Sequence, residues 1–225
     1  MILPDLEGPV ARTSGAARLT QLGWRAGLAT DTGLGVVSGT VGAYCVKDFI
    51  SAQYGPKTIG HSVGLWLFLA VLVSVRNPLP RAVVRSVTLL VASVAAFYVS
   101  KKYLPGPAGY LFEVDNWVLW SLAAVPGGVG IGVLGALLCR QRWLGAGALA
   151  LLIGMFCGDA YHRFHLYGVV DWAMKLDGLF ILCVLVIGVR SLPQLARLAA
   201  LLIPLSVAGY LLTSAPNWAE QILVG

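Results

Sequence analysis

The chain has 225 residues, of which 58% are hydrophobic and 12% charged, with a mean hydropathy of +0.80. A water-soluble domain carries about 25% charged residues; this composition therefore excludes a surface built mainly for water, and the length leaves no room for a separate soluble domain beside one helical bundle. The formal net charge of +6 does not indicate nucleic acid, because the basic residues stand singly or in pairs between apolar runs, a pattern of topology signalling rather than of phosphate binding.

Seven apolar stretches follow one another, which predicts an all-α polytopic bundle of about seven spans, with six as the alternative count. Residues 1–25 are polar and hold Arg12, Arg18 and Arg25. They read as a cytoplasmic tail or a surface-lying helix, and not as a cleavable leader, because Asp5, Glu7 and Pro9 interrupt them and no apolar core follows until after Arg25. The bundle is expected over 26–213. Its first span, about 28–50, is rich in Gly, Ser and Thr. The second, about 60–75, closes at Arg76-Asn77-Pro78-Leu79-Pro80, a firm helix breaker. The third runs over about 82–100 and stops at Lys101-Lys102, before a loop holding Pro105, Gly106, Pro107 and Gly109. The fourth, about 116–138, opens on Asn116-Trp117, and the fifth takes about 143–161. The sixth needs about 169–189, where Asp171, Lys175 and Asp177 make the first half amphipathic. The seventh lies between Pro193 and Thr213, with 214–225 as a short tail. A spanning helix needs about 20 residues, so the second and seventh spans are short.

Lys and Arg set the expected orientation. With the N-terminus inside, Arg12, Arg18, Arg25, Arg76, Arg81, Arg85, Arg140, Arg142, Arg190 and Arg197 fall inside, against Lys47, Lys57, Lys101, Lys102, Arg163 and Lys175 outside. That bias favours a cytoplasmic N-terminus and an outer C-terminus. Every inner residue of this set is Arg and every Lys is outer, a split with no physical account. Trp117, Trp143, Trp172 and Trp218 sit near span ends, where amphipathic rings suit the headgroup layer. Cys45, Cys139, Cys157 and Cys183 lie in or beside apolar runs without CxxC spacing, so they read as packing residues.

Gly35-Val-Val-Ser-Gly39-Thr-Val-Gly42-Ala43 in the first span is echoed at the same spacing by Gly128-Val-Gly-Ile-Gly132-Val-Leu-Gly135-Ala136 in the fourth. Such intervals let helix backbones approach closely. Repeats of three spans would be inverted relative to each other, a transporter-like arrangement, but plain close packing is the favoured reading.

Two regions carry a family likeness. One is Ser62-Val-Gly-Leu-Trp66-Leu-Phe-Leu leading into the Arg/Pro turn at 76–81. The other is Asn116-Trp117 through Pro126-Gly127-Gly128-Val-Gly130-Ile-Gly132, with Arg140 and an acid late in the next span. Together they resemble an actinobacterial-type family of small membrane proteins known only as a domain of unknown function. The acid is Asp159 here, where the resemblance implies Glu, and His61 stands where it implies Asn. The likeness implies a polytopic bundle and carries no mechanism.

The ionisable residues are the informative ones. Asp48, Glu113, Asp115, Asp159, Asp171, Asp177 and Glu220 fall toward the expected outer side, as do His61, His162 and His165; Asp5, Glu7 and Asp31 remain for the inner side. For Glu113, Asp115 and Glu220 the depletion of Arg there explains the excess. Asp159 differs, because it follows Leu149 to Gly158 without a polar break. An aspartate at mid-bilayer costs about 2.5–3.5 kcal/mol on insertion scales, so it is expected to face a partner or a wet cavity. Asp159, His162 and His165 are three apart and share a helix face, as a proton relay, a metal site or an interfacial cap. Snorkelling polar residues outweigh a metal site, since further ligands from His61, Asp48 or Glu113 would be required; a polar pocket wall stands level with snorkelling. Asp171 and Lys175 have the spacing and order of a helical ion pair. Phosphate loops, nucleophile elbows, zinc-protease motifs and Asp-rich magnesium motifs are absent, so no cofactor and no metal are expected.

Three functions compete. The first is binding or transport of a small solute, an amphiphilic one included, through an outward polar pocket with Asp159, His162, Asp48 and His61. The second is an intramembrane enzyme on an isoprenoid or lipid, terpene-cyclase-like by analogy. There Asp159 (or Glu113) is the general acid and Trp66, Trp117, Trp120 and Tyr161 form an aromatic pocket. In either reading His165, Asp171 and Lys175 are further candidates for substrate contact, although neutralising the entry to the sixth span is the favoured role of the Asp171–Lys175 pair. The third is an accessory subunit packing through its glycine faces. Expected partners are the lipid bilayer of the cell membrane, a small-molecule or lipid-like ligand, and a second copy or a larger membrane complex, with no nucleic acid.

Overall fold

A computed structural model describes residues 13–48, 62–103, 114–140 and 142–223. These residues form seven α-helices and no strand: α1 (Thr13–Asp48), α2 (Val63–Ser74), α3 (Leu79–Tyr103), α4 (Val114–Leu138), α5 (Trp143–Tyr167), α6 (Trp172–Gly188) and α7 (Leu192–Leu223). The protein is a helical membrane bundle. Stretches Leu79–Tyr103, Val114–Leu138, Trp143–His165 and Leu192–Pro216 are each long and apolar enough to cross a bilayer, while α2 is a shorter apolar helix.

The seven expected spans each find a helix, with two differences at the ends. α1 begins at Thr13, so the segment expected as a tail or surface helix is continuous with the first span. At 36 residues it is about 54 Å long, well beyond a hydrocarbon core of roughly 30 Å. No proline interrupts it, and the Thr30 and Thr32 hydroxyls donate to the carbonyls of Ala26 and Leu28 one turn back. α7 continues through Pro204 and Pro216 to Leu223, past the expected limit at Thr213. Lys57, His61, Pro105 and Glu113 lie outside the described residues.

Local chemistry sets the boundaries. Ser62 caps α2, its Oγ accepting from the Gly64 N–H at 3.1 Å. The Asn77 amide donates to the Val73 and Val75 carbonyls at the other end, Arg76 turns the chain with φ 61°, and Pro78 blocks continuation. Gly168 ends α5 in the left-handed region (φ 68°), with its N–H on Phe164. Asp171 caps α6 by accepting from the Met174 N–H at 2.8 Å. Gln194 is buried between α6 and α7: it donates to the Gly188 carbonyl and accepts from the Arg190 N–H, both at 3.0 Å.

The helices meet through small residues. Gly35 and Gly39 of α1 lie against the α3 backbone at Leu89, Ser93 and Phe97, where a Cβ would collide. Gly128 and Gly132 of α4 lie against Val87 and Val83 of the same helix, and Gly135 against Ser74 of α2. Gly35 and Gly39 of the first motif and Gly128 and Gly132 of its echo thus dock on one helix, α3, while Gly135 meets α2. Ser38 and Ser93 hydroxyls meet at 3.1 Å across the first seam, and Ser86 donates to Gly128 across the second. On the other side of the bundle, Gly154 and Gly158 of α5 approach the α7 backbone at Ser206 and Tyr210. The outward faces carry Val37, Leu122, Val186, Ile203 and Val207, all exposed, as a surface solvated by lipid tails requires.

Candidate functional site

Asp159 stands in the last third of α5 and faces the bundle interior, only 7% exposed. Its Oδ2 accepts from the Ser62 hydroxyl at 3.0 Å and from Arg163 Nε at 3.4 Å. Arg163, one helical turn further and 4% exposed, also reaches Asp171 Oδ2 at 3.4 Å through Nη1. Asp171 uses its other oxygen to cap α6. Arg163 therefore holds the end of α5, the N-cap of α6 and, through Asp159 and Ser62, the start of α2.

Asp177 completes the cluster. It lies on α6, is fully buried, and neither carboxylate oxygen has a hydrogen-bond donor among the described residues. The group interacts with the carboxylates of Asp159 and Asp171 and with the Arg163 guanidinium. Its Oδ1 occupies the space that a side chain at position 64 would need, so Gly64 of α2 admits it. Asp159, Asp171 and Asp177 thus share one described cation. A buried charge without a counter-charge costs several kcal/mol, so charge balance here calls for a proton or a cation.

A cavity of about 90 Å³ opens beside this cluster, between α2, α3, α4, α5 and α7. Its lining is apolar apart from Thr213 and includes the indoles of Trp66 and Trp120 together with Leu90, Val94 and Ala124. It meets the polar cluster through chain neighbours, as Val63 follows Ser62 and Met155 stands one turn before Asp159. Trp66 is held by an edge-to-face contact with Phe97 at 5.5 Å.

The remaining expected residues scatter. His162 is half-buried and His165 exposed, its ring stacked on the exposed Tyr161 at 6.4 Å; Tyr161 stands edge-on to Tyr210 of α7. Trp117 packs partly buried against the core and does not line the cavity. Asp171 does not pair with Lys175 as the spacing predicts; it pairs with Arg163, and Lys175 places its ammonium over the Trp172 ring at 4.6 Å. The reason is that Asp171 is the N-cap, outside the helix, with its carboxylate turned inward to the first-turn amides. The side chains of Asp48, His61 and Glu113 lie outside the described residues. Ser62, Arg163 and Asp177 were absent from the expected site. For Asp177 the available signal was an acid inside an apolar run, Gly178-Leu-Phe-Ile-Leu, the same signal that marks Asp159.

A second buried acid has its own partner. Asp31 of α1 accepts from Arg85 of α3 at 2.6 Å (Nε) and 2.8 Å (Nη2), a bidentate pair with the carboxylate fully buried. It joins the two helices whose glycine seam is described above.

Fold and cluster define a polytopic helical membrane protein with ionisable groups built into its interior. The chain belongs to a family of unknown function (DUF6518), whose model matches residues 57–219. That match takes in Ser62, Asp159, Arg163, Asp171 and Asp177 together with the whole cavity lining, and leaves Asp31 outside. No curated protein and no solved structure matches the chain.

Proposed function

We propose that this is a multi-pass protein of the cell membrane that binds or transports a small amphiphilic solute. The apolar part of the solute sits between Trp66 and Trp120, and its polar end reaches Ser62 and the Asp159–Arg163 pair. The carrying observation is the apolar cavity whose walls, Val63 and Met155, adjoin that buried polar cluster. Intramembrane ionisable residues that face the interior are functional-site candidates by default. Glycine seams on both faces of α3 are compatible with the sliding a transporter needs.

The test uses protein reconstituted in vesicles and a panel of alkylammonium, alkylcarboxylate and polyprenol probes, read by quenching of tryptophan fluorescence. Ala124→Phe fills the cavity without touching the cluster, and Asp159→Asn alters the cluster without filling the cavity. The expected result is that one probe class binds the natural chain and that both variants lose it while remaining in the membrane. A probe bound equally well by Ala124→Phe would end this assignment. The second reading, an intramembrane enzyme on an isoprenoid, is supported by the same two indoles lining the cavity, since aromatic faces stabilise a developing cation. Incubation with polyprenyl diphosphates and a search for new products separates the two.

A further inference from the structure

A different cleft opens where α1 passes the turn between α2 and α3. It has a volume of about 280 Å³ and is lined by Gly23, Trp24 and Gly27 of α1, by Asn77 of the turn, and by Arg81 and Arg85 of α3. None of these residues belongs to the cluster around Asp159. We propose that this cleft binds a phosphate group, carried by an anionic lipid headgroup or present as free phosphate.

Charge is the first argument. Arg81 is exposed, with its guanidinium carbon 5.8 Å from the centre of the Trp24 ring. Arg85 neutralises Asp31 through Nε and Nη2, which leaves Nη1 outside that pair. Arg85 is balanced by Asp31 and Arg81 lies over the Trp24 ring, so the two lining arginines and that one carboxylate leave one positive charge in excess. The N-terminus of α3 lies beside them at Leu79, where the helix dipole adds to the attraction for an anion. Asn77 commits its amide donors to Val73 and Val75, so it shapes the cleft and leaves the binding to the two arginines. Planar guanidinium groups match phosphate oxygens in pairs.

Shape is the second argument. Gly23 and Gly27 are one turn apart on α1, and a Cβ at either would meet nothing within 4 Å. The open space is therefore bounded on one side by two residues without side chains. Trp24 beside Arg81 is the pairing expected at the level of lipid headgroups, and basic residues near an anionic surface contribute about 1 kcal/mol each. The arginine bias predicts that this end of the bundle is the cytoplasmic one, the side where anionic lipids concentrate.

The experiment compares the purified full chain with Arg81→Gln and with Gly27→Leu, which fills the cleft and keeps every charge. Helical content and elution profile establish that each variant is folded. Binding is measured to phosphatidylcholine vesicles with and without phosphatidylglycerol, and to inorganic phosphate against chloride in neutral detergent. The natural chain is expected to prefer the phosphatidylglycerol vesicles or to bind inorganic phosphate, and both variants to bind about tenfold more weakly, some 1.4 kcal/mol. Response to the vesicles alone identifies a lipid headgroup, and response to inorganic phosphate identifies the free ion; either supports the site. Binding by both variants equal to that of the natural chain, or no preference in either arm, overturns it.

Discussion

Asp177 is the side chain whose surroundings match its charge least. It is fully buried with no donor on either oxygen among the described residues, and its neighbours include two more carboxylates and one guanidinium. Removing the cation is therefore expected to hurt far more than removing this acid. Arg163→Met strands three carboxylates and should cost about 3–5 kcal/mol of stability, whereas Asp177→Asn, which lowers the charge imbalance, should leave stability unchanged or raised; denaturant titration of detergent-solubilised protein distinguishes them. Gly64→Ala places a methyl group where Asp177 Oδ1 lies. We expect a loss of about 1–3 kcal/mol that largely disappears when Asp177→Ala is combined with it, a non-additivity that a double-mutant cycle reads directly. At this scale Asp159 was legible in the sequence, because an acid after an unbroken apolar run has few places to go. Arg163 was not, since a basic residue near a span end looks like a topology signal until the acids of two other helices are brought to it.

The helices depend on which of their glycines face a neighbour. On α4, Gly128 and Gly132 meet the α3 backbone, while Gly127 and Gly130 face open space. Gly132→Ala must push α4 from α3 and is expected to lower stability by about 1–3 kcal/mol. Gly130→Ala relieves helix-propensity strain without a clash and should be neutral or stabilising by about 0.4–1 kcal/mol. Thermal unfolding in one detergent compares the two, and equal loss in both would contradict the packing described. The spacing of the glycine motifs was plain in the sequence and foretold close contact. That Gly35 and Gly39 of one motif and Gly128 and Gly132 of the other dock on α3 required the rotation of three helices about their axes. The α6 cap teaches the same lesson: Asp171 and Lys175 have ideal ion-pair spacing, but a residue at the N-cap follows the orphan amides of its helix rather than the helical face.

At the scale of the whole chain, orientation is an expectation with a direct test. In a cysteine-free background, Arg76→Cys at the α2–α3 turn should react with an impermeant thiol reagent only from the cytoplasmic side, and Tyr103→Cys at the far end of α3 only from outside. The reverse pattern would turn the bundle over and move the arginine cleft to the outer leaflet. The amino-acid sequence by itself determined that lipid is the solvent, that the chain is helical, where the apolar spans fall and that glycine faces bring them close, because hydropathy, helix breakers and small-residue spacing are local properties. Only the tertiary structure decided that residues 62, 159, 163, 171 and 177 form one buried cluster, that Asp31 belongs to Arg85, and that Trp66 and Trp120 share a cavity while Trp117 does not. Those pairings depend on helix rotation and on side-chain reach across the bundle, and no local pattern in a single chain encodes either.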